Sequence, residues 1–320
     1  MTQRHLFALA IAAFAIAACK SEPVDPTATA ETELPSSDAL LGPTPTSLWE
    51  KFDCVRDNGA LVSAHRGGPR GAYPENALET LQRTLDAATP ILEIDVAETK
   101  DSVLFLLHDT NLERTTNGEG VARDLTWDEI SQLKLTNRDG VTAFSPPSLE
   151  AVLDWAVANN AVVQLDKKRS TSFTKIIDAV RAAKAAENVI LITYTYDQAE
   201  EIAQIAPDLM MTATVEDPSD LDELAQRGVD LTRLIAWTGT RAPNPGLWED
   251  VRARGVEIAF GTLGRRGERL DDQYWADRDG SEYNELVDQG VHLVATDYSD
   301  RVADVMVGDN RALRVCGFAR

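Results

Sequence analysis

At 320 residues and 43% hydrophobic composition, the chain can bury a full core, as one large α/β domain or as two small ones. Its net charge of -21 sets up a field that repels nucleic acid and anionic membrane surfaces, so no polyanionic partner is expected. A small anionic substrate stays compatible, provided a metal ion or local Lys and Arg invert the field at the site.

Arg4 and His5 precede an apolar run from Leu6 to Ala18, shorter than the roughly 20 residues that a membrane-spanning helix needs. The run has the form of a secretory signal, and its end, Ile16-Ala17-Ala18-Cys19, resembles the bacterial lipobox. That motif is cleaved before its cysteine, which is acylated on thiol and amine. Residues 1–18 are therefore expected to be a lipoprotein signal peptide, with Cys19 carrying the lipid; ordinary cleavage near the same small residues would leave no lipid. Lys20 is not the aspartate that retains lipoproteins at the inner membrane of enteric bacteria. The expected location is the bacterial cell envelope, lipid-anchored at the periplasmic face of the outer membrane. Residues 19–46 are rich in Pro, Thr, Ser, Ala and Glu, the composition of a flexible tether. Residues 47–320 then form the folded domain, expected as a monomer. Cys54 and Cys316 fall near its two ends, in a compartment where disulfides persist. They either bridge the termini or stay as two buried thiols, because the sequence does not supply the Cα separation that decides.

From Leu61 onward short β-branched runs alternate with helical patterns, the signature of βαβ units. Eight runs are predicted as strands: Leu61–His65, Ile91–Val96, Val162–Asp166, Val189–Thr193, Met210–Thr214, Leu234–Trp237, Val256–Phe260 and His292–Thr296. Most are almost continuously apolar, as strands buried on both faces are. Helical spacing marks the stretches between them, such as Asn76–Ala88 and Ser172–Ala186. Eight units predict a (β/α)8 TIM barrel, although an open doubly wound sheet would read similarly in any one unit. The connection between the second and third runs is too long for a βα loop and predicts a small insertion over about 109–147. Within that connection Val103–His108 is expected to pair with the end of the second strand. Thr126-Trp127-Asp128-Glu129 reads as a capping box, and Ser148–Val157 as the start of another helix.

Past the signal segment only His65, His108 and His292 remain. The first two end apolar runs, where a barrel places its catalytic face, so both imidazoles are expected at one cleft. A pair of hydrogen-bonded core histidines is the plainer alternative. The second run, Ile91-Leu92-Glu93-Ile94-Asp95-Val96, sets two carboxylates on one face of an apolar strand. Buried like charges call for a cation, and oxygen donors suit magnesium, calcium or manganese. Asp166 and Lys168 share a face at the end of the third run, a third hard ligand with a cation beside it. His292, at the start of the last run, lies at the end that serves stability and is given no catalytic role.

These residues fall into a pattern. His65-Arg66-Gly67, Pro74-Glu75-Asn76, Glu93-Ile94-Asp95-Val96, Thr99-Lys100-Asp101, His108-Asp109, Leu112-Glu113-Arg114-Thr115-Thr116, Gly118, Gly120, Pro147-Ser148-Leu149-Glu150 and Thr296-Asp297 together resemble the glycerophosphodiester phosphodiesterase signature, in order and spacing. The resemblance spans about residues 61 to 300. It implies a (β/α) barrel and one divalent metal ion, magnesium or calcium, on Glu93, Asp95 and Asp166. It also implies general acid/base work by His65 and His108, phosphate contacts from Arg66 and Lys168, and a glycerophosphodiester substrate cleaved to an alcohol and glycerol 3-phosphate. Two positions differ from the family pattern. Asp166 stands where Glu is usual, which is closer to the sphingomyelinase D relatives on the same barrel. Phe260 stands where Trp is common near the end of the seventh strand, and is expected to alter the pocket that receives glycerol. Phospholipase D-like cleavage of a lysophospholipid or sphingolipid, and a non-catalytic phosphodiester-binding lipoprotein, are the alternative readings.

Overall fold

Runs of Val, Ile, Leu and Ala that are apolar on both faces can be satisfied only with a layer inside and a layer outside. The computed structural model describes residues 45–87, 89, 91–306 and 311–318, so Cys19 and the signal and tether segments lie outside the described residues. In chain order the elements are α1 (Leu48–Asn58), β1 (Leu61–Ala64), α2 (Leu78–Asp86), β2 (Ile91–Glu98), β3 (Leu104–Leu106) and α3 (Trp127–Ser131). A hairpin of β4 (Thr136–Asn137) and β5 (Gly140–Val141) follows, then α4 (Leu149–Ala158), β6 (Val162–Lys167), α5 (Phe173–Ala182), β7 (Val189–Ile192) and α6 (Tyr196–Ile205). The chain continues through β8 (Met210–Thr214), α7 (Pro218–Gln226), β9 (Leu234–Trp237), α8 (Pro245–Ala253) and β10 (Glu257–Gly261). It ends with α9 (Leu270–Tyr274), α10 (Glu282–Asp288), β11 (Leu293–Thr296), α11 (Ser299–Met306) and α12 (Arg311–Val315).

Strands β1, β2, β6, β7, β8, β9, β10 and β11 pair in parallel, and β1 closes the ring by pairing both β11 and β2. This is the (β/α)8 barrel expected from the sequence. The predicted strand ends shift by a residue or so. His65 leaves β1 for a short 3-10 turn, and His292 precedes β11 rather than opening it. β3 runs antiparallel to the far half of β2, with Val96 opposite Leu106, while β1 pairs only its near half, at Ile91 and Leu92. The insertion packs its own small core of Phe105, Leu107, Leu112, Ala122 and Ile130. The Thr126 capping box with Glu129 forms, as does the helix capped by Ser148.

The amino-terminal end of the barrel is stoppered. Leu48, Phe52 and Val55 of α1 pack against strand-start residues Leu61, Ile91, Val162, Ile190, Ile235 and Leu293. Ala312 of α12 and Phe318 join them, and Cys54 is joined to Cys316 by a disulfide, with the Cα atoms 5.5 Å apart. His292 sits at this end, 3% exposed, its Nδ1 accepting the Ile258 N–H at 3.0 Å. Burial, with the charges of Arg56 and Arg252, pushes its pKa from 6.5 down to about 4. The unfolded chain therefore takes a proton between those values that the folded chain refuses, and stability falls as pH drops. From about pH 7 to about pH 5 this one group should remove about 2 kcal/mol. Glu257 alongside is pushed up to about 7 by burial, which gives the opposite slope. Denaturant titrations of the wild type and His292→Asn at both pH values isolate the histidine. Equal losses in the two proteins would refute the assignment.

Candidate active site

At the other end, the chain leaving β1 turns sharply through His65-Arg66-Gly67. Arg66 takes a left-handed backbone (φ 51) and Gly68 follows at φ 79, where a Cβ would lie 2.7 Å from Ser299 Oγ and 2.8 Å from Thr84 Oγ1. Only glycine fits there, and the turn holds His65 over the barrel mouth. His65 Nδ1 lies 2.7 Å from Asp297 Oδ1. Asp297, just past β11, is also bound by Arg269 and by the Gly264 N–H at 3.2 Å. His108 repeats the arrangement: its Nδ1 is 2.6 Å from Asp109 Oδ1, and Asp109 accepts from Arg114. Burial alone would raise Asp297, yet His65 and Arg269 hold it at about 2, while Arg114 and His108 hold Asp109 at about 2. Both carboxylates are thus charged. Each fixes its imidazole with Nδ1 as donor and leaves Nε2 as the working nitrogen.

Burial pushes the His65 pKa down, but the Asp297 hydrogen bond and the charges of Glu93 and Asp297 outweigh it, so His65 keeps its proton to higher pH than a free histidine. A chain of pairs ties the two histidine turns together. Arg66 Nη1 is 3.0 Å from Glu75, Arg114 Nη1 is 2.8 Å from the other Glu75 oxygen, and Arg114 continues to Asp109.

Between the histidines, β2 presents Glu93 and Asp95, and β6 presents Asp166 in register with Asp95. One oxygen of each lies within 4.8 Å of the others. Burial, then Asp95, raises the Glu93 pKa. Burial would raise Asp95 too, but Lys168, His108 and Asn76 hold it low. Lys168 does not stand free in the cavity: its Nζ lies 2.5 Å from Asp95 and 2.6 Å from Asp166. An all-oxygen trio that still crowds Glu93 despite this ammonium fits a hard divalent cation. Asn76 donates to Asp95 Oδ2 at 2.7 Å and accepts the Asp95 N–H at 3.1 Å, which orients that ligand.

A cavity of about 190 Å³ joins His65, Glu93, Asp95, His108, Asp166 and Tyr194. Trp237 and Leu263 wall its apolar side. Phe260 does not line it, which corrects the expectation placed on that residue. It points outward, fully buried, edge-on to Trp248 at 5.3 Å. The inward neighbour is Gly261, where a Cβ would meet the Trp237 ring at 2.7 Å, so the aromatic wall comes from the preceding strand. Sequence reasoning also missed Tyr194, whose hydroxyl is pushed up by burial, Asp166 and Glu93. The partnering roles of Asp297, Asp109 and Glu75 escaped it as well, although each lies inside a quoted motif. Cys54 and Cys316 lie at the far end of the barrel and take no part in the site.

Closed parallel barrels carry their chemistry at the carboxyl ends of the strands, and carboxyl-paired histidines around an acidic trio at that end define the class of phosphodiester-cleaving barrel enzymes. Comparison supplies the family. The glycerophosphoryl diester phosphodiesterase family model matches residues 65–301, and the chain belongs to that family. It is 29% identical over 163 residues to protein YqiK of Bacillus subtilis (strain 168), covering 49% of this chain and 67% of that protein. It is 30% identical over 156 residues to the glycerophosphodiester phosphodiesterase of Caldanaerobacter subterraneus subsp. tengcongensis, covering 47% and 64%. The matches thus span about two thirds of these curated relatives. The crystal structure of a glycerophosphoryl diester phosphodiesterase from Parabacteroides distasonis ATCC 8503 superposes with a TM-score of 0.71 at 27% identity, over 83% of this chain and 93% of that one.

Proposed function

We propose that the protein hydrolyses glycerophosphodiesters to an alcohol and glycerol 3-phosphate, with a magnesium or calcium ion on Glu93, Asp95 and Asp166. The observation that carries this reading is the pair of histidines, each tied through Nδ1 to a charged aspartate, facing one cavity with the acidic trio. One imidazole takes a proton from the attacking water as its oxygen bonds to phosphorus. The other gives a proton to the alcohol oxygen as its bond to phosphorus breaks. The ion, when bound, would offset charge on the phosphoryl oxygens. Arg66, whose Nε is buried without a hydrogen-bond partner among the described residues, is suited to a phosphate oxygen. Lys168 would complete the charge balance once a cation shares its carboxylates.

The space outside the cavity is bordered by seven arginines together with Tyr73, Tyr298, Pro69 and Pro74, a cationic border that suits an anionic, deacylated substrate. The sequence at Ile16-Ala17-Ala18-Cys19 supports the further proposal that residues 1–18 are a lipoprotein signal and that Cys19 anchors the chain in the bacterial envelope. The test is release of glycerol 3-phosphate from glycerophosphocholine, with EDTA and then with magnesium or calcium restored. Metal-dependent release is expected. Release that survives exhaustive chelation would remove the ion from the proposal, and no release with metal restored would remove the substrate.

A further inference from the structure

The catalytic cavity shares His65 with a larger groove of about 860 Å³. In a chain of net charge -21, this groove is bordered by seven arginines and three carboxylates. The local field is therefore opposite to that of the molecule as a whole. Four of the arginines are committed: Arg66 and Arg114 to Glu75, Arg269 to Asp297, and Arg70 to Asp300. Two of the three carboxylates, Glu75 and Asp297, are correspondingly neutralised. The remaining arginines, Arg138, Arg266 and Arg301, have no carboxylate partner among the described residues.

These three come from separate stretches of chain. Arg138 sits in the turn between β4 and β5 of the insertion, Arg266 in the loop after β10, and Arg301 in the first turn of α11. Arg301 is held in place by its rings, its Cζ 4.8 Å from the Tyr298 centroid and 5.5 Å from that of Trp275. A single scissile phosphate in the inner cavity would meet Arg66 and the cation that the acidic trio would hold, and does not need three more guanidinium groups around the adjoining space. Planar guanidinium forks from three separate stretches of chain, all bordering one groove, suit the oxygens of a second phosphoryl group.

We infer that the groove is a second anion subsite, and that the preferred substrate carries a further phosphoryl group beyond the diester being cleaved. The inference rests on the phosphodiesterase reading above and names its substrate class. The reaction itself is unchanged: water supplies the oxygen that bonds to phosphorus, and the departing alcohol keeps the second phosphate.

The experiment compares two substrates that differ by one glycerophosphoryl group, glycerophosphoglycerol and bis(glycerophospho)glycerol. With the wild-type chain, KM for the second is expected to be lower by on the order of tenfold. Arg138→Ala/Arg266→Ala/Arg301→Ala should raise that KM by a similar factor and leave kcat/KM for glycerophosphoglycerol unchanged. Arg138→Glu/Arg266→Glu, which keeps the Arg301 stack and changes only exposed positions, guards against a folding defect and should abolish the preference. Equal losses on both substrates would mean general steering of anions, and no loss on either would mean a solvated arginine rim; each overturns the subsite. Should the wild type cleave neither compound, the activity reading fails by itself. Calorimetric binding of bis(glycerophospho)glycerol then decides the subsite: weaker binding in the variants supports it, and equal binding refutes it.

Discussion

Replacing His65 or His108 with alanine is expected to lower kcat on glycerophosphocholine by about 10²–10⁴-fold each, the range that a positioned proton donor or acceptor contributes. Both rings are partly exposed at the barrel mouth, so truncation opens the cavity without removing core packing, and near-native thermal unfolding should accompany the loss. The losses should not multiply in the double variant, because the two imidazoles serve opposite ends of one displacement. Asp297→Asn gives the diagnostic contrast. The amide keeps the shape but can donate to Nδ1, which would exchange the tautomer and remove the charge that holds the His65 pKa above its free value. The His65 limb of the pH–rate profile should therefore move to lower pH, with kcat reduced and KM nearly unchanged. Wild-type turnover in His65→Ala, or an unmoved limb in Asp297→Asn, would contradict these roles.

The second large effect is on stability. Cys54 and Cys316 lie 262 residues apart in sequence, so opening their bridge frees nearly the whole folded chain. The chain-entropy account gives on the order of 5 kcal/mol for a loop of that length. At about 2–4 °C per kcal/mol for a domain of this size class, Tm should fall by roughly 10–20 °C in Cys54→Ala/Cys316→Ala. Calorimetry of the two proteins, with and without reductant, measures the difference. The bridge stands at the stoppered end while the cavity stands at the mouth, so activity at room temperature should survive. A Tm that moves by only about 2 °C would show that packing of α1 and α12 suffices without the bond.

What could be read from the sequence divides along a physical line. Polar residues ending or interrupting apolar runs are conspicuous, so His65, His108 and Asp166 at run ends, and Glu93 and Asp95 within one, were legible. Counting βαβ units then placed them at one mouth, where Asp95 and Asp166 share a register. Lys168 was legible as a cation beside the site, but its Nζ curling back between two carboxylates depends on side-chain torsions that no spacing reveals. The face of Phe260 was not legible for a related reason. Strands apolar on both faces carry no alternation, so nothing distinguishes the inward residue from the outward one. Here glycine, the residue without a side chain, faces inward and leaves room for Trp237. The His65–Asp297 pair joins residues 232 apart, a contact that exists only once the barrel has closed.

The bond between Cys54 and Cys316 also changes what kind of object the barrel is. Its sheet is already a ring of hydrogen bonds closed at β1 and β2, and the disulfide closes residues 54–316 into a covalent ring through the two cysteine side chains, with every barrel strand inside it. A single proteolytic nick anywhere between the two cysteines therefore yields no separate fragments. It leaves one covalent molecule, opened at a new place, whose strands still have both their neighbours. A cut in an exposed loop becomes the equivalent of a circular permutation, and two cuts are needed before any piece can diffuse away.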